Sequence, residues 1–555
     1  MRRFAQLYAD LDSSDGTLMR VEAMHRYFAA AEPADAAWAL HVLLGKQGKR
    51  LITGRRLRQI CLEGSSLPEW LFEDCYAHVG DSAETIALLW QQLAADPCGE
   101  PAASQPLHHW METLLPAAAA LEGAEQAAAV RRLWRGLGPA ELLVANKLLT
   151  GGLRVGVGQG LVLRALARLS GLEQPLLQHR LMGGFTPSSQ AYRALLEAGG
   201  QAETVPSRPY PFFLASPLVL ASPLEPAAAD PLPGPASSWL AEWKFDGIRG
   251  QLIRRAGAAF LWSRGEELIN AAFPELIAAS AALPEGTVLD GEILVWPAGA
   301  ERPAPFAALQ RRLGRKAPGN KLLVECPAAF VAYDLLEQGG EDLRQVPLGQ
   351  RRAALEELLQ ALPAAAATPG SGLLRLSPRL ALASWEQLEP LRQQASAAAA
   401  EGLMLKALDS PYLAGRRRGH WWKHKRDPYT LDAVLLYAQA GSGRRANLFT
   451  DYTFGLWDAA SPPQLVSFAK AYSGLDDAEI TTLDRWIRSH TTERFGPVRA
   501  VQPEQVFELA FEGLQRSSRH KSGIAVRFPR IARWRRDKPA CEADTLAAAL
   551  ALLEP

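Results

Sequence analysis

A lysine alternates with two acidic residues along one short segment, which ends in a glycine and an arginine. The segment reads Glu242-Trp243-Lys244-Phe245-Asp246-Gly247-Ile248-Arg249. Its period of two predicts a β-strand with one apolar and one polar face. A lysine between carboxylates is typical of the floor of a polar pocket, and the glycine allows a sharp turn or close approach to a ligand. A surface strand with a chance Lys-Asp pair remains the alternative for this segment alone.

Further segments between residues 250 and 428 pair strand-like alternation with charged or aromatic side chains. They are Ser263-Arg264-Gly265, Val288–Val295 with Asp290 and Glu292, Ala329–Leu336 with Phe330 and Tyr333, Glu401–Lys406, and Trp421–Lys425. Several cations in one pocket favour a polyanion such as a triphosphate, and they lower the pKa of a lysine from about 10.4 toward neutrality, which makes it a nucleophile. Carboxylates such as Glu292 and Glu401 suit Mg²⁺ beside phosphates. Taken singly, each segment is also typical of an ordinary turn, a solvated lysine or a core aromatic residue.

Length and composition describe the setting of this pocket. The chain has 555 residues, which predicts two to four domains, and its formal net charge of +1 does not indicate a nucleic-acid partner by itself. The five cysteines are scattered without a Cys-x-x-Cys pair, which argues against a zinc site and a disulfide framework and favours the cytoplasm. No apolar run is long enough to span a bilayer, so no membrane partner is expected.

The first 205 residues have helical periodicity and are predicted to form an all-α domain. Their most informative stretch is Asn146–Gly158, where a helix leads into a glycine-rich turn beside Lys147 and Arg154. Such a turn suits a nucleic-acid phosphate, although this stretch by itself is more typical of an ordinary helical corner with solvated basic residues. A proline-rich linker is predicted over residues 206–237, with its apolar part packed on the next domain.

Short strands over residues 429–545 predict a small β-barrel, followed by a tail over 546–555. The most informative run in this region is Arg527–Pro539, which contains Arg535, Asp537 and Lys538. A second basic cluster includes Arg519 and Lys521, for which phosphate contact and simple solvation are both open.

Taken in order, these motifs resemble those of the covalent nucleotidyltransferases, and specifically of ATP-dependent DNA ligases. Lys244–Arg249 resembles the nucleotidyl-lysine motif of the family, and Arg535-x-Asp537-Lys538 resembles its last motif. The resemblance implies a multidomain α+β chain. It implies an all-α DNA-binding domain over 1–205, a mixed α/β nucleotidyltransferase (ATP-grasp-like) adenylation domain over 238–428, and an OB-fold β-barrel over 429–545.

The same resemblance implies a role for each motif residue. Lys244 would be the nucleophile that becomes joined to AMP. The other implied catalytic residues are Lys423, Lys425, Arg535, Asp537 and Lys538; the ATP-binding residues are Glu242, Arg249, Arg264, Glu292, Phe330 or Tyr333, Lys406 and Lys423; the metal ligands are Glu292 and Glu401; and the DNA-binding residues are Lys147, Arg154, Arg519 and Lys521.

As a member of that family the chain would use ATP with Mg²⁺, or Mn²⁺ as a substitute, to seal nicked duplex DNA in repair, recombination or replication. It would act as a monomer in the cytoplasm, and the sequence does not indicate any helicase or nuclease partner. An RNA ligase or an RNA-capping guanylyltransferase is the rival within the superfamily, disfavoured by the segments 146–169 and 535–538. A non-catalytic nick-binding protein is disfavoured because no motif is degenerate.

Overall fold

The computed structural model describes residues 1–14, 16–46, 50–93, 105–153, 155–182, 184–197, 206–218, 232–313, 315, 317–362, 373–441 and 447–553. The chain divides into two compact units. One unit comprises Met1–Gly171, Thr186–Ala194 and Pro428–Pro555, and the other comprises Leu172–Phe185 and Leu195–Asp427. No helix in the described ranges combines the length and the apolar character needed to cross a membrane.

Helices form the N-terminal region, as its periodicity predicts. In α1 the buried residues recur at helical spacing, so that one face of the helix packs inward. The helices are α1 (Arg2–Ser13), α2 (Thr17–Ala30), α3 (Pro33–Leu43), α4 (Gly54–Glu63), α5 (Glu69–Val79), α6 (Ser82–Leu93), α7 (Leu107–His109), α8 (Leu115–Ala119), α9 (Gly123–Trp134), α10 (Pro139–Thr150), α11 (Gln159–Ser170), α12 (Gln174–Leu181) and α13 (Ser189–Leu196).

The central region is built on two mainly antiparallel sheets, each covered by helices. The strands are β1 (Phe213–Leu214), β2 (Ser216–Pro217), β3 (Trp239–Phe245), β4 (Ile248–Arg255), β5 (Ala258–Ser263), β6 (Thr287–Val295), β7 (Ala328–Gln338), β8 (Glu341–Asp342), β9 (Leu374–Leu376), β10 (Arg379–Leu380), β11 (Ala400–Ala407), β12 (Gly415–Arg416) and β13 (Trp421–Lys425). The helices are α14 (Pro274–Ala279), α15 (Phe306–Gln310), α16 (Asn320–Glu325), α17 (Leu348–Gln360) and α18 (Leu388–Gln393).

One sheet has the strand order β10-β3-β11-β13-β2, and the other has the order β5-β4-β6-β7-β8, with β9 beside β7. A core between the sheets combines Ile253 and Val288 with Trp421. Separate cores on the outer faces pack each sheet against its helices. Side chains that alternate along each strand therefore divide between an outer face and the face that meets the other sheet.

The segment that precedes the central sheets is partly embedded in them. Tyr210, Phe212 and Phe213 are buried, and the two-residue strands β1 and β2 pair with β12 and β13. Apolar side chains in an otherwise proline-rich segment account for this, because leaving them in water would be unfavourable.

The C-terminal region is rich in strands, in agreement with its predicted class. Its strands are β14 (Tyr429–Ala440), β15 (Phe449–Trp457), β16 (Leu465–Ala471), β17 (Thr491–Phe495), β18 (Val498–Val501), β19 (Val506–Phe511), β20 (Gly513–Arg516), β21 (Ile524–Arg527) and β22 (Arg530–Trp534), and its helices are α19 (Asp477–Ser489) and α20 (Leu546–Ala551). The long strand β14 pairs with β15 on one side, and with β19 and then β18 on the other. Sequence reasoning missed α19, although Asp476 and Glu479 form a capping box at its start.

Candidate active site

The chain passes from one central sheet to the other at Asp246-Gly247. Strand β3 belongs to the five-stranded sheet and β4 to the six-stranded sheet. Gly247 lies so close to β6 that an added Cβ would stand 2.3 Å from the carbonyl oxygen of Ile293. Its backbone N–H donates to Glu292 Oε1 at 3.1 Å. The absence of a side chain at Gly247 therefore lets the end of β3 approach β6, which carries Glu292.

Lys244 lies on β3 with an acidic residue directly beside it. Its ammonium donates to Glu401 Oε2 at 2.6 Å, and Lys425 Nζ lies 3.5 Å from the same oxygen. In the sheet, Lys244 and Lys425 are the register partners of Gly402 on either side. One carboxylate therefore bridges two lysines that come from different strands and are separated by 181 residues in the chain, from 244 to 425.

A β-bulge accounts for the direction of the Glu401 side chain. The register between β11 and β3 shifts between Ala400 and Gly402, which allows Glu401 to leave the normal alternation. Gly402 has a φ of +150°, and an added Cβ would stand 2.2 Å from the carbonyl oxygen of His424. Glycine is thus required at the position that aims Glu401 at Lys244.

Lys423, on β13, lies among several other cations. Burial lowers the pKa of Lys423, and Lys425, Lys244 and Arg416 lower it further, while Glu401 opposes them. From the sequence we expected crowded cations around Lys244, and the structure also places the Glu401 carboxylate 2.6 Å from its ammonium. The cations that act on Lys423 therefore come from three different strands, β3, β12 and β13.

Glu292 completes the set of ionisable groups around Lys244. Burial raises the pKa of Glu292 from 4.5 to about 7, and this rise outweighs the lowering effects of Lys244 and Arg249. Near neutral pH this carboxyl is therefore divided between its protonated and ionised forms. A cation that replaced the proton would stabilise the ionised form.

Glu242, two residues before Lys244, lies in a buried ion cluster. One of its oxygens is 2.6 Å from Lys406 Nζ and the other accepts from Arg352 at 2.8 Å. The Lys406 ammonium also lies 4.1 Å from the centre of the Tyr333 ring. All three members of the ion cluster are almost inaccessible to solvent. Sequence reasoning missed Arg352, since no local pattern connects residues 110 positions apart.

Arg249 is occupied by protein groups. Its guanidinium forms two hydrogen bonds to Asp290, at 3.2 and 2.7 Å, and donates to the carbonyl oxygen of Phe213 at 2.6 Å. The hydroxyls of Tyr333 and Tyr412 donate to the same Asp290 carboxylate. This network ties three strands of the six-stranded sheet, β4, β6 and β7, to Tyr412 and to the backbone of β1, and sequence reasoning had assigned Asp290 no role in it.

The structure separates the two candidates for a stacking aromatic. Phe330 is fully buried in the outer core of the six-stranded sheet, next to the helices. Tyr333 sits where β7 has an extra residue relative to β6, and its ring lies over Arg249 and Lys406 on the inner face. The prediction that Phe330 stacks on the nucleotide therefore does not fit the structure, because the outer core covers the Phe330 ring.

The remaining predicted residues of the central region are Arg264 and the two metal-ligand candidates. Arg264 is exposed just after β5, and its backbone N–H donates to the carbonyl oxygen of Arg249. Glu401 contacts Lys244, and Glu292 interacts with it electrostatically, but no group of three or more His, Cys, Asp or Glu able to hold a metal occurs among the described residues. Two carboxylates suit a Mg²⁺ ion that takes its remaining ligands from phosphates and water.

The last motif is held together within the C-terminal region. Arg535 donates to Asp537 through Nε and Nη2, and through Nη1 to Asp432 at 2.8 Å. Lys538 Nζ donates to the same oxygen of Asp432 at 2.8 Å. Both cations retain some exposure to solvent, whereas Asp432 is buried. Asp432 was not identified from sequence.

The predicted DNA-binding residues have different surroundings. Lys147 is largely buried and its ammonium donates to Asp81 at 2.7 Å, so a phosphate would have to displace that carboxylate. Arg519 and Lys521 are exposed in the connection between β20 and β21. Arg154 lies outside the described residues.

Comparison with known proteins gives matches along most of the chain. Family models match in chain order: a DNA ligase N terminus over residues 1–167, an ATP dependent DNA ligase domain over 220–425 and an ATP dependent DNA ligase C terminal region over 445–538. A probable DNA ligase from Anaeromyxobacter sp. (strain K) is 31% identical, over 93% of this chain and 98% of its own length. The chain belongs to the ATP-dependent DNA ligase family.

Two other comparisons concern the length of the relatives and the similarity of the fold. A probable DNA ligase from Opitutus terrae is 33% identical over 98% of this chain, and the chain spans 62% of the length of that relative. A solved structure described as Pmar-Lig_PreS3 matches 96% of this chain and 99% of its own, with a TM-score of 0.58 and 14% identity. At that identity the likeness concerns the fold alone.

Replacing Glu292 in this ligase-family chain should change how stability depends on pH. The folded chain keeps the Glu292 proton up to about pH 7, whereas an unperturbed glutamate loses it near 4.5. Ionisation therefore lowers the free energy of unfolding as pH rises through that window, by at most about 3 kcal/mol. Glu292→Gln should raise the unfolding temperature relative to the parent at pH 8 and leave it nearly unchanged at pH 4.5.

The measurement is thermal unfolding of parent and variant at both pH values. Glu341→Gln, at an exposed site on β8, is the matched control and should not show a pH-dependent difference. An equal gain for Glu292→Gln at both pH values would contradict the raised pKa.

Proposed function

We propose that the chain seals nicks in duplex DNA through an adenylated lysine. In the first step the neutral amine of Lys244 attacks the α-phosphorus of ATP. An N–P bond forms, the bond between the α-phosphorus and the bridging oxygen breaks, and pyrophosphate leaves with that electron pair. In the second step the 5′-phosphate at a nick takes the adenylyl group from Lys244, and in the third the 3′-hydroxyl displaces AMP. The convergence of Glu401, Glu292 and Lys425 on Lys244 is the observation that carries the proposal.

The charged neighbours of Lys244 have separate proposed roles. Glu401 orients the Lys244 amine and accepts its proton, and Lys423 and Lys425 neutralise the charge that develops on the α-phosphate. Glu401 and Glu292 would hold Mg²⁺, or Mn²⁺ in its place. The bound ion would supply charge neutralisation at the phosphates. These roles are supported by the short contacts around Lys244 and by the hard oxygen donors of the two carboxylates.

For the nucleotide, we propose Tyr333 as the residue that stacks on adenine, in place of Phe330. Lys406 and Glu242 would line the pocket next to the adenine. Glu242 would accept a hydrogen bond from the adenine amino group if its ion pair with Arg352 or Lys406 opened. Arg249 would act by keeping Tyr333 and Asp290 in place, and exposed Arg264 would contact the ribose or the 5′-phosphate at the nick. The ring contacts of Tyr333 and the ion pairs of Glu242 support this division.

The finer fold and domain assignments are part of the same proposal. We assign residues 1–205 to DNA binding, 238–428 to adenylation and 429–545 to an OB-fold barrel that carries Arg535, Asp537 and Lys538 to the β- and γ-phosphates of ATP. The branched pairing of β14 supports the barrel. Arg519 and Lys521 would contact DNA phosphates, and Lys147 would do so only by leaving Asp81. A monomer acting in the cytoplasm is the expected working form.

The decisive experiment is ligation by the purified chain. With α-labelled ATP and Mg²⁺, the label should first appear on the protein, then on the 5′ end of a nicked duplex, and finally as free AMP beside sealed product. GTP should not give a labelled protein; a protein adduct formed with GTP in preference to ATP would point to a capping-type enzyme. Sealing of nicked RNA in preference to nicked DNA would point to an RNA ligase, and DNA binding without any adduct would overturn the enzymatic proposal.

A further inference from the structure

Asp432 is the fourth residue of β14, in the part of that strand that pairs with β19. It is buried on β14, yet a single one of its carboxylate oxygens accepts from both Arg535 and Lys538 at 2.8 Å. Its other oxygen, Oδ1, is buried and has no hydrogen-bond partner among the described residues. The carboxylate is therefore held in place mainly by two cations at one atom.

The backbone around Asp432 is fixed independently of its side chain. Its N–H donates to the carboxylate of Asp544 at 2.7 Å, and its carbonyl oxygen accepts from the N–H of Asp544 at 2.8 Å. β14 also pairs with β19 at this position, where Asp432 stands opposite Glu508. If the Asp432 carboxylate is removed, β14 therefore keeps its backbone hydrogen bonds at this position.

The contact geometry brings two long, flexible side chains together. Because Arg535 Nη1 and Lys538 Nζ touch the same oxygen, the two nitrogens can be no further apart than about twice a hydrogen-bond length. Asp537, the other carboxylate partner of Arg535, is largely exposed, whereas the ion-pair partner of Lys538 is Asp432. Asp432 is therefore the group that joins the two cations.

We propose that Asp432 is a positioning residue for the adenylylation step, which holds Arg535 and Lys538 side by side as one phosphate-binding pair. The inference rests on the proposed function, in which this pair meets the β- and γ-phosphates of ATP. Ordering both side chains before ATP binds removes an entropic cost that would otherwise fall on the reaction. Because pyrophosphate is present only in the first step, the effect of Asp432 is confined to that step.

The test compares two reactions of the full chain, self-adenylylation with ATP and sealing of a nick that already carries a 5′-adenylate. In Asp432→Asn and Asp432→Ala, the rate of self-adenylylation should fall about 10- to 100-fold. Sealing of the adenylated nick should stay within about threefold of the parent. In an Arg535→Ala background, the further replacement of Asp432 should cause little additional loss, because the pair of cations that it holds together is already broken.

Asp484→Asn is the matched control, since Asp484 is a buried carboxylate of the same region that pairs with Arg488 at 2.7 Å. Asp484→Asn should not lower the rate of self-adenylylation relative to the rate of sealing the adenylated nick. Equal losses in both reactions for the Asp432 variants, or an unchanged adenylylation rate, would overturn the inference while the proposed function stands. A parent protein that forms no adduct would instead overturn the proposed function. If Asp432→Ala does not fold, the isosteric Asp432→Asn carries the comparison.

Discussion

Lys244→Ala is expected to reduce protein labelling from α-labelled ATP by at least about four orders of magnitude, since a methyl group cannot attack phosphorus. Lys244→Arg should be almost as inactive, because a guanidinium retains positive charge and is a poor nucleophile. The geometry supports Lys244 as the nucleophile to test, because its ammonium is partly exposed and is bound by Glu401 at 2.6 Å. The measurement is the rate at which radioactive AMP becomes covalently attached to protein.

Two controls make the Lys244 result specific. Lys321→Ala removes a highly exposed lysine of the same unit and should leave labelling unchanged. Binding of nicked duplex by Lys244→Ala should remain salt-dependent and close to that of the parent, which would show that the variant is folded. A labelled adduct persisting in Lys244→Ala would mean that another nucleophile carries the adenylyl group.

Glu401→Gln is expected to have the second largest effect, about 100-fold on both self-adenylylation and the sealing of a pre-adenylated nick. The substitution keeps the size of the side chain and removes the charge that bridges Lys244 and Lys425. If Glu401 also binds Mg²⁺, the variant should need a higher Mg²⁺ concentration for half-maximal sealing. The pre-adenylated substrate is informative because the attack by Lys244 on ATP has already been bypassed.

Glu389→Gln is the matched control for Glu401. Glu389 pairs with His424, which alternates along β13 with Lys423 and Lys425 and so belongs to its other face. The control should leave the Mg²⁺ dependence of sealing unchanged. If Glu401→Gln lowered the adenylylation rate alone, with normal Mg²⁺ dependence, Glu401 would be a partner of Lys244 and not a metal ligand.

Stability and activity are linked in this site by its glycines and its buried charges. Gly247 and Gly402 stand where a Cβ would collide with the backbone of a neighbouring strand. Gly247 itself donates its N–H to Glu292, and Gly402 directly follows Glu401, which contacts Lys244. The ion cluster of Glu242, Lys406 and Arg352 is buried, so removal of one member would leave uncompensated charge. The residues around Lys244 are thus fixed by contacts that tolerate little change.

Local sequence was sufficient to predict features that depend on neighbouring residues, such as the type of each secondary-structure element. The alternation around Lys244 predicted a strand with this lysine on its polar face, and the structure has Lys244 in the strand β3, Trp239–Phe245. Helical spacing predicted the helices of the first region, and short alternating runs predicted the strand-rich last region. The order of the motifs was enough to indicate the ATP-dependent DNA ligase family, to which the chain belongs.

Contacts between distant residues were decided only by the tertiary structure. A bulge in β11 turns Glu401 toward Lys244, and an extra residue in β7 separates the inward Tyr333 from Phe330 in the outer core; neither irregularity follows from a period of two. Arg352 and Asp432 find their partners more than 100 residues away in the chain. The sequence by itself therefore determined which chemical groups are present and on which kind of element. Packing of the sheets and pairing of buried charges decided which of those groups meet, because burial makes an unpaired charge too costly to leave alone.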